Sequence, residues 1–457
     1  MVLHTGDVIY MAGEHRLYDR NFRQPYTAFL TSESTVENLV FRLPFLPVPG
    51  NHDYYDLGGW ASWLSRIPLV SQGLHAMAHR FLGFRLPEGG SDMGRAFMEA
   101  FLEPSPGHYS EIAAGAPLPY RCGERTRLPH RYYQFTQGGV DFFALDSNTL
   151  DAPPPAVAPE SVRRAATKRS VLLEQELQTL ESQLITTPTT PSDQLPRHPL
   201  SERILDIQRE LALEQRRQRY EVTDFDRAQL EWLEAALRES QTERPDHWRV
   251  VFLHHPLYTS IHNHCERPDV RSLRSNLLRL LQTSGQVHLI LSGHSHAFEW
   301  LRSSALPQTG IFVTGGGGQV ALRSSVFASR YRDRSFKQRA ALADAGIKEC
   351  AVNGRGPTSP DGHAGLLYHY LRVIVRPDAL RIVPVGVRLL HGNDEERRQF
   401  RREEPMPVYH IPEVPRTPTQ RVPRRIRFLE YVEVRREGMP EAHWAEGIPR
   451  VRRGRGR

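Results

Sequence analysis

Four short blocks hold most of the residues in this chain whose types and spacing suggest chemistry: GDVIY (6–10), GNHD (50–53), VFLHHP (251–256) and GHSH (293–296). Together they offer a carboxylate (Asp7), an amide oxygen (Asn51) and several imidazoles (His52, His254, His294, His296). A mixed oxygen and nitrogen donor set suits zinc, manganese or iron and disfavours soft metals that want sulfur. The three cysteines, Cys122, Cys265 and Cys350, lie far apart with no C-x-x-C pairing, which argues against a thiolate zinc site or a disulfide framework. Singly the blocks are weak. A Gly-Asp pair is usually a turn, and His254-His255 also reads as one core histidine beside an exposed neighbour. Their conjunction and order carry the reading.

Such donors need elements that aim them at one point. Each block follows an apolar, strand-like run and falls where that strand should end, which is where open α/β sheets bind ligands. Strands are predicted in 248–256, 286–298 and 311–318, with helices around 225–240 and 272–285, and this alternation argues for an α/β layered fold. Val2–Thr5 reads as the end of a buried strand, and 39–56 contains a strand ending in Pro-Gly-Asn. Residues 132–148 predict a hairpin turning at Gly138-Gly139, and 366–375 with 379–387 a late antiparallel pair. Residues 57–131 read as loop-rich.

Between 151 and 222 the character changes. A Pro-rich linker precedes Leu173, Leu177, Leu180 and Leu184, and then Ile204, Ile207 and Leu211, all at helical spacing. An inserted helical hairpin is expected there, most simply as a surface appendage. Beyond about residue 390 the chain is rich in Pro and Arg without clear periodicity, which predicts a flexible basic tail. The expected organisation is a main domain over 1–390, an insertion over 151–222 within it, and a tail over 391–457. Lys plus Arg number 59 against 52 Asp plus Glu, a net +7 that is modest for 457 residues and does not by itself imply nucleic acid. No apolar run reaches the roughly 18–20 residues that span a bilayer.

The ordered blocks resemble those of calcineurin-like metallophosphoesterases, and within them the purple acid phosphatase branch. Four of that family's five blocks stand here in order over residues 6–296. Tyr10, Val251-x-x-His254 and His-x-Pro-x-Tyr (254–258) match the purple acid phosphatase version, as does the helix with Gln229-Leu230-x-Trp232-Leu233. The resemblance implies two packed β-sheets flanked by helices and a phosphoester hydrolase, acting foremost on phosphomonoesters. It implies two divalent or trivalent metal ions (Fe, Zn or Mn) and a metal-activated hydroxide as nucleophile. Asp7 would bridge the metals; Asn51, His254 and His294 would complete the second metal's ligands; His296, and Tyr10 in this branch, would bind the first. His52 would contact substrate and help the leaving group, and His264, with His262, would touch phosphate.

The family's first block, D-x-H or D-x-G, is not found ahead of Gly6, so the strand and aspartate that carry it are expected to be absent from this chain. Asp361-Gly-His363 spells the pattern but follows a loop-like stretch, and Asp146-Ser-Asn148 ends a strand but fits a capping turn better. One metal position is therefore expected to be incomplete and to bind less tightly than the other. The alternatives are a phosphodiesterase or nucleotide hydrolase of the same fold, or a catalytically impaired scaffold. The expected partner is a phosphorylated small molecule or other phosphoester; a nucleic-acid partner is not expected. Compartment and oligomeric state are not legible.

Overall fold

The computed structural model describes residues 1–9, 13–35, 38–54, 94–102, 120–124, 126–150, 159–186, 226–261, 264, 268–317, 342–353, 368–389, 401–414 and 426–445, with 204, 207 and 211. Two units are distinguished, one of Met1–Asn148 with Gln229–Arg457, the other of Thr149–Ala228.

The larger unit is mixed α/β, with a twelve-stranded and a two-stranded sheet. At the centre of the large sheet, β4 (Val140–Ala144), β5 (Trp248–Leu253), β6 (Leu289–Ser292) and β8 (Gly310–Thr314) run parallel in that spatial order. Parallel strands need crossovers, and α4 (Arg227–Glu243) and α5 (Pro268–Thr283) precede and follow β5. Every residue of β4, β5 and β6 is buried, as expected for strands covered on both faces. The hairpin of β3 (Tyr133–Gln137) and β4 turns at Gly138 and Gly139, both at positive φ.

The small sheet pairs β1 (Val2–His4) with β2 (Phe45–Pro47) in parallel. The apolar pattern predicts a buried β1, yet its three residues are only partly so. A cluster of aromatic rings holds this sheet: Phe41 stacks on Phe45 at 4.6 Å, and Phe22 meets Phe45 at 5.5 Å and Phe101 at 5.4 Å. Phe101 ends the short helix α2 (Arg95–Phe101), an element not foreseen in the stretch read as loops. The four-residue α1 (Asn51–Tyr54) follows β2.

The late antiparallel pair is present as β10 (Tyr368–Val375) and β11 (Ala379–Leu389). The flexible tail expected beyond 390 is corrected by β12 (Arg401–Ile411), β13 (Ile426–Arg435) and β14 (Glu441–Trp444), all in the large sheet. Burial explains the error. Leu429, Val432 and Val434 of β13 and Met406 and Val408 of β12 are buried, while among their neighbours Glu430 and Arg435 are exposed. Pro405 lies where β12 passes from pairing with β11 to pairing with β13, a change of partner that tolerates proline. β12 also pairs β9 (Ile347–Asn353), and β9 pairs β7 (Phe298–Ser303), the strand that leaves the GHSH turn.

The second unit holds α3 (Pro159–Thr186), a 28-residue helix. Of the second helix expected in the insertion, Ile204, Ile207 and Leu211 are described, in helical conformation, and the rest lies outside the described residues. The unit's first residues are tied to its last, Asp226 N–H donating to Thr149 O at 2.7 Å. Where the large unit resumes, Gln229 brackets Asp146, accepting from its N–H at 2.8 Å and donating to its carbonyl at 3.1 Å.

Candidate metal centre

The donors converge from both sheets. His254 follows β5 and His294 follows β6, and these strands pair in parallel through Leu253 and Ser292. Gly293 N–H donates to His254 O at 2.9 Å, which sets the two imidazole-bearing turns side by side. Asp7 and Asn51 come from the turns after β1 and β2. There His52 N–H donates to Asp7 Oδ1 at 3.0 Å.

Asp53 ties those two turns together. Its buried carboxylate accepts from the backbone N–H groups of Val8 (3.1 Å), Ile9 (3.1 Å) and Gly50 (2.9 Å). Two glycines are required by close approach. A Cβ on Gly6 would stand 2.5 Å from His254 Nδ1, and one on Gly50 would overlap Asp7 N and Oδ1. Among the described residues, Asp7 (φ 52°) and His294 (φ 59°) are the non-glycine residues at positive φ. Such conformations cost on the order of 1–3 kcal/mol each and gather at functional sites. Both strained residues are candidate donors.

Four atoms meet. Asp7 Oδ1 lies 3.2 Å from His254 Nε2; Asn51 Oδ1 lies 2.8 Å from His254 Nε2 and 2.9 Å from His294 Nδ1; the two nitrogens are 3.3 Å apart. Ligands about 2.0–2.1 Å from a tetrahedral ion stand about 3.3 Å from one another, so these spacings fit a common cation. Proton accounting supports it. His254 Nδ1 lies 2.7 Å from Thr5 O and must donate to it, which leaves a lone pair on Nε2 if the ring is neutral. That lone pair faces two more acceptors, the oxygens of Asp7 and Asn51. Protonating the ring is opposed by burial, which pushes His254 down to about 4. Burial also pushes the carboxyl of Asp7 up to about 6 and that of Asp53 up to about 7. Among the described residues no Lys or Arg pairs with either. A metal ion held here would supply the missing positive charge.

The remaining predicted residues fall as follows. His52 is half-buried beside Asp7. His296 is half-buried and is pushed down to about 4 by burial, with His52 and His254 close by. His264 packs its ring 4.7 Å from that of His294, its Nδ1 3.1 Å from Ser295 Oγ. Tyr10 and His262 lie outside the described residues, as do Asp361 and His363. Asp146 is buried against Arg131 at 3.2 Å and accepts from Tyr54 Oη at 2.8 Å and from Asn148 N, a structural corner.

The expected contrast within His254-His255 is absent, since both side chains are buried. His255 joins His254 and His294 in a group whose ring nitrogens lie within 4.8 Å of one another. Sequence reasoning also missed Asp53, although an acid directly after Asn-His, in a turn rich in N–H groups, was a signal for such a cap. It missed Glu299 as well. That buried carboxylate accepts from Ser260 N at 2.8 Å and from Thr259 Oγ1 at 2.5 Å, tying the segment after His254 to β7.

Residues 188–298, which include the VFLHHP and GHSH blocks, match the family model for calcineurin-like phosphoesterases. That stretch is therefore similar to calcineurin-like phosphoesterases. Among solved structures the chain is similar to the purple acid phosphatase PPD1 from seeds of yellow lupin (Lupinus luteus), with 14% identity and a TM-score of 0.37, covering 84% of this chain and 44% of that one. It is also similar to GAP50, the anchor in the inner membrane complex of Plasmodium, with 13% identity and a TM-score of 0.31, covering 81% of this chain and 73% of that one. The chain thus spans under half the length of the lupin protein. A search of curated proteins finds no match. No described helix is long and apolar enough to cross a membrane.

Proposed function

We propose that this chain hydrolyses phosphomonoesters at a dinuclear metal centre of the purple acid phosphatase type. The observation that carries the reading is the meeting of Asp7 Oδ1, Asn51 Oδ1, His254 Nε2 and His294 Nδ1 at 2.8–3.3 Å. Asp7, Asn51, His254 and His294 would hold one ion, with Asp7 shared. His296, and Tyr10 by its motif position, would hold the other, which is offered fewer donors and fills less tightly. When bound, the ions supply a hydroxide near neutral pH and positive charge for the phosphoryl oxygens.

The chain's own residues do the rest. Thr5 O fixes His254 with its lone pair on the donor side. His52, whose backbone N–H is bonded to Asp7, would give a proton to the leaving oxygen by its motif position. His264, steadied by Ser295, and His262, by its motif position, would orient the phosphate.

The test pairs metal content with substrate choice. The purified chain, reconstituted with Zn, Mn or Fe, should release p-nitrophenol from p-nitrophenyl phosphate faster than from bis(p-nitrophenyl) phosphate. N51A and H254A should lose both metal and turnover. The reverse substrate preference would make it a diesterase, and metal retained by both variants would overturn the assigned centre.

A further inference from the structure

One contact beside the donors lies outside every block. Ser147, in the turn after β4, is fully buried. Its Oγ accepts the backbone N–H of His255 at 2.9 Å and lies 3.0 Å from His255 Nδ1. Since β4 and β5 are parallel neighbours, this one hydroxyl ties the end of β4 to the residue that follows His254.

The protons can be assigned from the hydrogen-bond network. With the backbone N–H already accepted, the hydroxyl has its own proton to give, and among the described residues Nδ1 of His255 is the acceptor it faces. Nδ1 is thereby held unprotonated, the ring proton sits on Nε2, and the plane of the ring is fixed. Nδ1 is committed to Ser147, so His255 is set apart from the four donors although its ring stands among theirs.

That fixed ring packs 4.6 Å from the ring of His294, tilted by 48°, and 5.0 Å from that of His254, nearly edge-on at 81°. His294 holds a φ of 59°, a conformation that persists only where its surroundings over-determine it. His255 on one side and His264, at 4.7 Å, on another supply those surroundings.

We propose that Ser147 and His255 form a positioning pair: the serine hydroxyl locks the His255 ring, and that ring sets the orientation of both metal-binding imidazoles. This rests on the metal centre proposed above. Groups that orient ligands without touching the ion typically change metal affinity about 10–100-fold when removed.

The test titrates Co²⁺ into the metal-stripped full chain and follows the visible d–d absorption, whose position and intensity report donor geometry. N51A serves as the control for the centre itself. S147A should bind Co²⁺ about 10–100-fold more weakly, with a shifted band, while its folded fraction in chelator stays that of the wild type. S147C, which keeps a weaker donor of similar shape, should fall between. If S147A does not fold, S147C takes its place: a weakened, shifted band supports the pair and an unchanged one overturns it. The absence of any Asn51-dependent band in the wild type overturns the metal reading. An Asn51-dependent band that the Ser147 variants leave unchanged in affinity and position overturns the positioning pair alone.

Discussion

The two halves of the proposed metal centre are built differently. The nitrogen half, His254 and His294, sits on the parallel middle of the twelve-stranded sheet, where every residue of β5 and β6 is buried. The oxygen half, Asp7 and Asn51, sits on two paired three-residue strands, one of them only partly buried. Sheet pairing places the nitrogens. The oxygens depend on local devices: the Asp53 carboxylate, the bare Cα atoms of Gly6 and Gly50, and the bond from His254 to Thr5 O. A site assembled this way should fail first on its oxygen side.

The strongest test is D53A. It leaves three backbone N–H groups without their acceptor at about 1–3 kcal/mol each, so a loss above about 3 kcal/mol is expected in urea unfolding, together with the loss of metal. If D53A melts in one transition with the nitrogen half, the two halves are a single cooperative unit and the contrast is broken. G50A comes next. Its Cβ would overlap Asp7, costing about 1–3 kcal/mol as overpacking, and metal affinity measured against a chelator should fall with it.

The nitrogen half has a pH signature of its own. His288, one residue before β6, accepts the Arg249 N–H on Nδ1 at 2.9 Å, and burial pushes it down to about 3, with Arg249 and Arg436 adding to the shift. A histidine lowered on folding takes its proton first in the unfolded chain. Its contribution is therefore present above about 6.5 and is lost progressively as pH falls toward about 3. By pH 5 the metal-free chain should lose about 2 kcal/mol from this residue, and H288N, which keeps an acceptor there, should flatten the profile. The smallest effect is expected from S292A. It removes one bond to Phe312 O at about 1 kcal/mol and should leave the Co²⁺ spectrum untouched. A shifted spectrum would mean that the nitrogen half is less rigid than the sheet suggests.

The strand ends, the hairpin turn and the donor types were legible because each rests on a local pattern. Asp7, Asn51, His254 and His294 could be nominated with His52 and His296 from donor types at strand ends, and the family resemblance grouped the four. What was not legible depends on partners distant in sequence. Asp53 reads as one more acid until its carboxylate is seen to serve N–H groups 44 and 45 residues away. Ser147 and His255 are 108 residues apart and meet only because β4 and β5 are neighbours. In β13, Glu433 and Arg435 interleave with Val432 and Val434 and hid their period-two alternation, as Pro407 did between Met406 and Val408 of β12.

The seam around Asn148 has a consequence for how this chain could have grown. Gln229 clasps Asp146 on one side of the seam, and Asp226 bonds to Thr149 on the other. The excursion over 149–228 therefore begins and ends at sites already pinned by their own bonds. Closing a loop between fixed ends costs only a logarithm of its length. Lineages could thus have lengthened, shortened or exchanged whatever hangs there while inheriting the same strand order, and laboratory grafts at the same junction draw on the same tolerance.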